Sequence, residues 1–489
     1  MPRFQDDQSR LARTTVPTRM TTPSRRRVRS GAFVAIATTL LVVGVSHVGF
    51  ALHRFTPPFV QVTSQTNGDI GRGYSWVPDF TTFESNGDIV GNGNATWNIF
   101  LFDLPMRDYA GMSGLTQVTF GSFNARYPSL SQALEFDTSK ALISFEADGN
   151  YCTLPENNCD ANATPSGGRQ VFVYGLDSHT TRQVTAGPGD CTRPQISGFG
   201  RKFVFESTTD LLGTGAIGTV PELYEGDLSL IGPDCPQLPC PAGNDRFGRP
   251  KLRGLEQITT GGGSNGSINY NGRVIAFESR GDIANNSMNP GVQQIYVWNK
   301  GTLRQVTMGA YDSRNPTVNS LGGRIIAFEQ DVPVSGGGTV AQVRIGKISR
   351  TRGTTIMWST GGAGNSVTPR VDTKGMRIAF SSNTNLLGDQ SAGPKNHVFV
   401  YDLHRKNLIQ ITSGAAGGDS VVPSPYQLMS FVSSDDINGT GNSTRQLFVA
   451  NYFEDAPLDF VTPFPGTPTA PGSTPQPSAT PTPEPSATP

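Results

Sequence analysis

Six Asp or Asn residues stand five places after a phenylalanine that closes an apolar run: Asp88, Asn150, Asp210, Asp282, Asn385 and Asp436. Side-chain oxygens set among Gly and Asn, as in DIVGNGN from Asp88 and DINGTGN from Asp436, are the donor type that calcium takes in sets of about six to eight. None of these segments has the alternating acidic pattern of a dedicated calcium loop, and Asx side chains also close turns by bonding to nearby backbone amides. Turn closure is therefore the first expectation, with calcium as its alternative and no other cofactor or metal expected. Four arginines, Arg126, Arg193, Arg314 and Arg370, each lie within two residues of a proline. On the same face as the carboxylates they would either pair with neighbouring repeats or recognise an acidic group of a ligand.

The remaining reactive residue types argue for no catalytic set. Gly262-Gly263-Ser264-Asn265-Gly266 fits G-x-S-x-G formally, but no strand-turn-helix context surrounds it, as a nucleophile elbow requires. Of five histidines, His47 and His53 lie in or beside an N-terminal apolar segment, and His179, His397 and His404 fall around aromatic strands or the turns after them, away from the carboxylates. The five cysteines lie between 152 and 240. Cys235 with Cys240 and Cys152 with Cys159 are the expected disulfides, with Cys191 an alternative partner, since neither spacing is a standard zinc pair.

These residues are positioned by a repeat. An apolar strand ending in Phe recurs at Phe83, Phe145, Phe205, Phe277, Phe328, Phe380 and Phe431, with gaps of 62, 60, 72, 51, 52 and 51 residues. The underlying period, close to 51, is the length of one propeller blade. Gln-Val/Ile-Thr recurs independently at Gln61, Gln117, Gln183, Gln257, Gln305 and Gln410, with Ile356-Met357-Trp358 in the missing place. Aromatic strands such as QIYVWNK from Gln294 and HVFVYDL from His397 lie between the two markers. Each unit reads as four antiparallel strands: A around Pro194–Ser197 or Pro316–Asn319, B ending in the Phe, C aromatic, and D with the Gln-x-Thr. The fold class is all-β, a seven-bladed propeller over 58–455. Because Gln61–Thr63 precedes the first Phe, the segment near 58–63 is expected to pair with 446–452 and complete blade seven.

The cycle of proline, turn, (I/V)AFxS, loop, (V/I)FVYDL and QIT resembles the TolB-like propeller repeats of bacterial envelope proteins over roughly residues 58–452. The resemblance implies a periplasmic or extracellular binding platform and no particular activity.

The ends set the compartment. Residues 1–31 hold eight arginines against two aspartates, and the uncharged run Ala32–Leu52 suits either a signal peptide or a signal-anchor helix. Residues 463–489 carry ten prolines and read as an extended, proline-rich tail. A formal net charge of zero, with 16% charged residues and the only dense basic cluster in the leader, argues against nucleic acid as a partner. The sequence therefore points to an exported, monomeric, non-enzymatic module that binds an envelope protein, peptide or glycan, touching membrane only through its N-terminal segment. The alternatives are a lyase or glycan hydrolase working from the central channel, and a purely structural surface protein.

Overall fold

A computed structural model describes residues 59–451, apart from internal segments of which 104–113 is the longest. The basic leader, the apolar segment 32–52 and the proline-rich tail lie outside the described residues. Among the described residues no helix is long and apolar enough to cross a membrane.

Seven four-stranded antiparallel sheets follow one another, each in the order A-B-C-D. Blade 1 spans 76–117, blade 2 125–183, blade 3 191–257, blade 4 264–305, blade 5 313–359, blade 6 366–410, and blade 7 combines 419–451 with Phe59–Gln61. The N-terminal strand pairs Phe59 with Ala450, Val60 with Val449 and Gln61 with Phe448, the closure that the phase of the markers predicts. One hydrophobic cluster then holds Phe83 and Phe100 of the first blade, and Ile70 just before it, with Val422, Leu447 and Val449 of the last, so the ring is sealed.

The repeat markers are the joints of this architecture. The marker Phe faces the aromatic of strand C directly across the ladder, and the rings stack: Phe83 on Phe100, Phe145 on Phe172, Phe277 on Tyr296 and Phe380 on Phe399, with centroids 5.4 to 5.8 Å apart. Such cross-strand aromatic pairs add about 0.5–1.5 kcal/mol beyond the area they bury. The Gln-x-Thr marker closes the outer edge. In blade 2 the Gln183 amide donates to the Thr185 carbonyl (2.9 Å), while the Thr185 hydroxyl donates to Gln170 Oε1 (2.9 Å) and accepts the Val171 N–H (2.9 Å). The same set recurs at Thr119 and Thr259. Blade 5 departs in part: Arg344 stands opposite Phe328, and Trp358 replaces the Gln and stacks on Tyr401 of blade 6 at 4.1 Å, while Thr360 still accepts the Val343 N–H (3.0 Å).

Strand A begins earlier than its proline suggests. It runs Cys191–Ile196 in blade 3 and Ser313–Val318 in blade 5, because the proline sits inside the strand at a bulge. Proline donates nothing to the ladder, and a bulge is one of the few places within a sheet that tolerates it. The residue at each bulge is left-handed: Tyr127 (φ 54°), Arg193 (50°), Asn265 (52°), Asn315 (52°), Thr368 (53°) and Ser420 (52°). The long insertion of blade 3 forms its own hairpin, Cys240–Asn244 with Pro250–Arg253.

Candidate functional site

The loops between strands B and C and between D and the next A emerge on one side of the ring, the loop face. Asp88, Asp210, Asp282, Asn385 and Asp436 all lie there, just beyond their B strands. Four of them are the central residue of a tight turn, in which the following N–H reaches back two residues: Ile89 to Gly87 (2.9 Å), Leu211 to Thr209 (2.9 Å), Leu386 to Thr384 (2.8 Å) and Ile437 to Asp435 (2.8 Å). The turn folds the aliphatic residue after each Asx onto the hydrophobic clusters below. Asp88 also accepts the backbone N–H groups of Asn92 (2.8 Å) and Gly93 (3.1 Å). The Asp88 oxygens thus build their own loop, and among the described residues no group of three or more His, Cys, Asp and Glu is gathered as a metal site.

A second series of carboxylates lies beneath these loops, and the sequence reading passed over it. The Glu after the Phe marker reaches into the next blade and accepts the N–H of the left-handed bulge residue. Glu84 takes Tyr127 (2.6 Å), Glu146 takes Arg193 (2.7 Å), Glu206 takes Asn265 (2.8 Å), Glu278 takes Asn315 (2.6 Å) and Glu329 takes Thr368 (2.7 Å). All five are buried. A left-handed non-glycine residue costs of the order of 1–2 kcal/mol, and a charge-assisted hydrogen bond offsets it. In blade 7 the bulge residue is Ser420 and the preceding marker is followed by Ser381, so the belt ends there. The signal was in the sequence as the recurring Phe-Glu, but only a three-dimensional neighbour gives the Glu its task.

The belt also fixes most of the predicted arginines. Arg126 Nη2 donates to Glu84 (2.9 Å), and its guanidinium lies over the Trp97 ring at 4.2 Å. Arg314 grips Asp331 with two nitrogens (3.0 and 2.8 Å) and Glu329 with a third (3.1 Å). Arg193, itself a bulge residue, lies 3.7 Å from Glu206 and donates to Asn265 Oδ1 (3.2 Å). Arg370 is the exception and corrects the expectation that all four open onto the loop face. It stands two residues beyond its bulge, near the end of strand A, and lines the central channel with Ser129, Gln195, Ser267 and Thr317 around a cavity of about 90 Å³. Tyr270 and Asp372 lie just past strand A of blades 4 and 6, and Asp372 closes a turn by accepting the Met376 N–H (2.7 Å).

Burial dominates the titration of Glu146, Glu206 and Glu278 in the belt. It pushes the Glu206 carboxyl up to about 7, against the opposing pull of Arg193 and the Asn265 N–H, and raises Glu146 and Glu278 in the same direction. A folded-state value above the unfolded one means that stabilisation is complete below the unfolded value and is lost as pH rises through about 7. Stability should accordingly fall between pH 5 and pH 8 by on the order of 2–3 kcal/mol at this residue. Urea unfolding of Glu206→Gln should show a flatter slope, and an unchanged slope would refute the assignment.

Both expected disulfides form, Cys152 with Cys159 and Cys235 with Cys240. Cys191 is not an alternative partner: it is buried at the start of strand A in blade 3, and burial raises its thiol to about 11. An alkylating reagent should label it only after unfolding. Each disulfide closes a loop of a few residues, so Cys235→Ser should cost about 2 kcal/mol in a denaturant titration. His397 begins strand C, on the loop-face side rather than away from it, and is fully buried. Ser264 of the G-x-S-x-G run begins strand A of blade 4, with no helix after it.

No protein-family model matches the chain, and no curated protein matches its sequence. Solved structures are similar to it at low identity. Oligogalacturonate lyase in complex with manganese is 13% identical, with 81% of this chain and 97% of that chain covered and a TM-score of 0.47. TolB from Acinetobacter baumannii is 13% identical over 81% of this chain and 80% of its own, with a TM-score of 0.32. Acylaminoacyl peptidase of Pyrococcus horikoshii is 9% identical over 78% of this chain and 51% of the peptidase, with a TM-score of 0.44. With its seven sheets in A-B-C-D order and its N-terminal closing strand, the chain is an all-β, seven-bladed propeller.

Proposed function

We propose that the propeller is an exported, monomeric, non-enzymatic binding module that presents its loop face to a protein of the cell envelope. Peptides and glycans are the other ligand classes this face suits. One observation carries the reading. The charges of the loop face are largely matched internally, while Val220, Met308 and Tyr311, in the B–C and D–A loops of blades 3 to 5, leave large apolar side chains 46, 58 and 41% exposed. Exposed apolar side chains beside a rigid, charge-neutralised scaffold favour association with another protein surface. The two disulfides and the arginine-rich leader before an apolar run support export. Catalysis from the channel mouth is disfavoured because the belt carboxylates are buried between blades, each bound to a bulge N–H of the next blade.

The test is affinity capture from envelope extract with the full chain and with Met308→Glu/Tyr311→Glu. A partner retained by the first and lost by the second supports the reading, whereas equal capture of the same partner by both removes the loop face from it.

A further inference from the structure

The opposite side of the ring, formed by the A–B and C–D turns, holds a groove of about 620 Å³ between blades 3 and 4, within the size range of ligand sites. Its charges are unevenly matched. At the blade 3 end Arg201 lies 3.4 Å from Asp227, the Lys202 ammonium bonds Glu225, and Glu256 adds one further carboxylate. At the blade 4 end Arg273 and Lys300 are exposed and have no acidic partner among the described residues. Their backbones are fixed: the Arg273 N–H donates to Asn269 Oδ1 (2.9 Å), and the Lys300 N–H to the Arg273 carbonyl (3.2 Å). Two unmatched cations are thereby held side by side at one end of a ligand-sized groove.

The groove opens beside an apolar stripe. Phe199, packed on Tyr270 with ring centroids 4.1 Å apart, forms one wall. Phe199, Leu321 and Met376, in the A–B turns of blades 3, 5 and 6, are 45, 46 and 47% exposed. Backbone bonds tie successive turns together: Phe199 N–H to Tyr270 (2.9 Å), Tyr270 N–H to Ser320 (2.8 Å) and Leu321 N–H to Thr373 (2.7 Å). A sugar chain, hydroxylated throughout, gains little from leucine and methionine, whereas a peptide can place an apolar side chain against each.

We propose that this groove binds an acidic peptide segment, with carboxylates at Arg273 and Lys300 and an apolar side chain on Phe199. The site is independent of the loop face, so the two readings stand or fall separately. The inference rests on charge complementarity at one end and on the continuity of apolar surface from the other wall.

The test is fluorescence anisotropy of the full chain with a labelled heptapeptide that alternates glutamate with leucine. Arg273→Glu/Lys300→Glu should weaken binding at least tenfold and Phe199→Ala by about fivefold, while Lys406→Glu, on an exposed turn of blade 6, should leave it unchanged. Raising salt from about 50 to about 500 mM should also weaken it, since exposed charges are screened. Hydrogen exchange should slow at 197–202 and 270–273 when the peptide is added. Equal affinity of the double variant, equally tight binding of a glutamine–leucine peptide, or no binding of the acidic peptide would each overturn the proposal. An acidic oligosaccharide bound where the peptide is not would replace the ligand class.

Discussion

Replacing Glu329 with alanine is expected to destabilise the propeller by about 3 kcal/mol, more than any substitution on the loop face. Its carboxylate accepts three bonds: the Thr368 N–H of blade 6 (2.7 Å), Asn315 Nδ2 (2.8 Å) and Arg314 Nε (3.1 Å). Removing it leaves an N–H at a left-handed residue without its acceptor and takes one carboxylate from a guanidinium that then depends on Asp331 alone. Breaking a buried, hydrogen-bonded charge pair from one side typically costs about 3–5 kcal/mol, and the surviving Arg314–Asp331 pair places this case at the lower end. Glu329→Gln keeps one carbonyl oxygen for Thr368 and should cost about 1 kcal/mol. Denaturant titrations of the two variants decide the matter. A loss below 1 kcal/mol for the alanine variant would show that the belt does not bind neighbouring blades together.

The second large effect concerns ring closure. A chain beginning at residue 67 lacks the fourth strand of blade 7. Three ladder positions between 59–61 and 448–450 go with it. So does the Thr63 hydroxyl, which donates to Gln446 Oε1 (2.8 Å) and accepts the Leu447 N–H (3.0 Å). The buried Val62 side chain contributes about 2 kcal/mol and each of the five lost pairings and hydrogen bonds about 1, so the expected cost is about 7 kcal/mol. Strand 446–451 would then be an open edge, a template for pairing with a second chain. Light scattering coupled to size exclusion should show concentration-dependent association of the truncated chain. A monomer of unchanged stability would mean that closure through the N-terminal strand is dispensable.

Much of this was legible in the residues. The seven phenylalanines, the Gln-x-Thr marker and their phase gave the blade number, the strand order and the closing strand, because each marker answers to a contact inside one blade or to the ladder of the last. The disulfides at 152–159 and 235–240 were legible for the same reason: each joins neighbours in sequence. Arg370 was misjudged because proximity to proline does not tell which side of the bulge a residue occupies. Two positions along strand A separate the loop face from the channel.

The candidate sites were the least legible part. Asp88, Asp210, Asn385 and Asp436 were expected first as turn-closing residues, and each is the centre of a turn that packs the residue after it onto the clusters below. Arg273 and Lys300 lie 27 residues apart in separate turns of blade 4, and Phe199 belongs to blade 3, so no spacing in the chain announces their groove.

The sequence by itself determined the fold class, the number of blades and their closure, since a repeated local pattern fixes repeated local pairing. Only the tertiary structure decided which charges are spent. The carboxylates of the Phe-Glu marker, the bulges they hold and the cations left over on the turn face depend on which blade lies next to which, and burial together with proximity across that boundary, rather than residue type, settles their role.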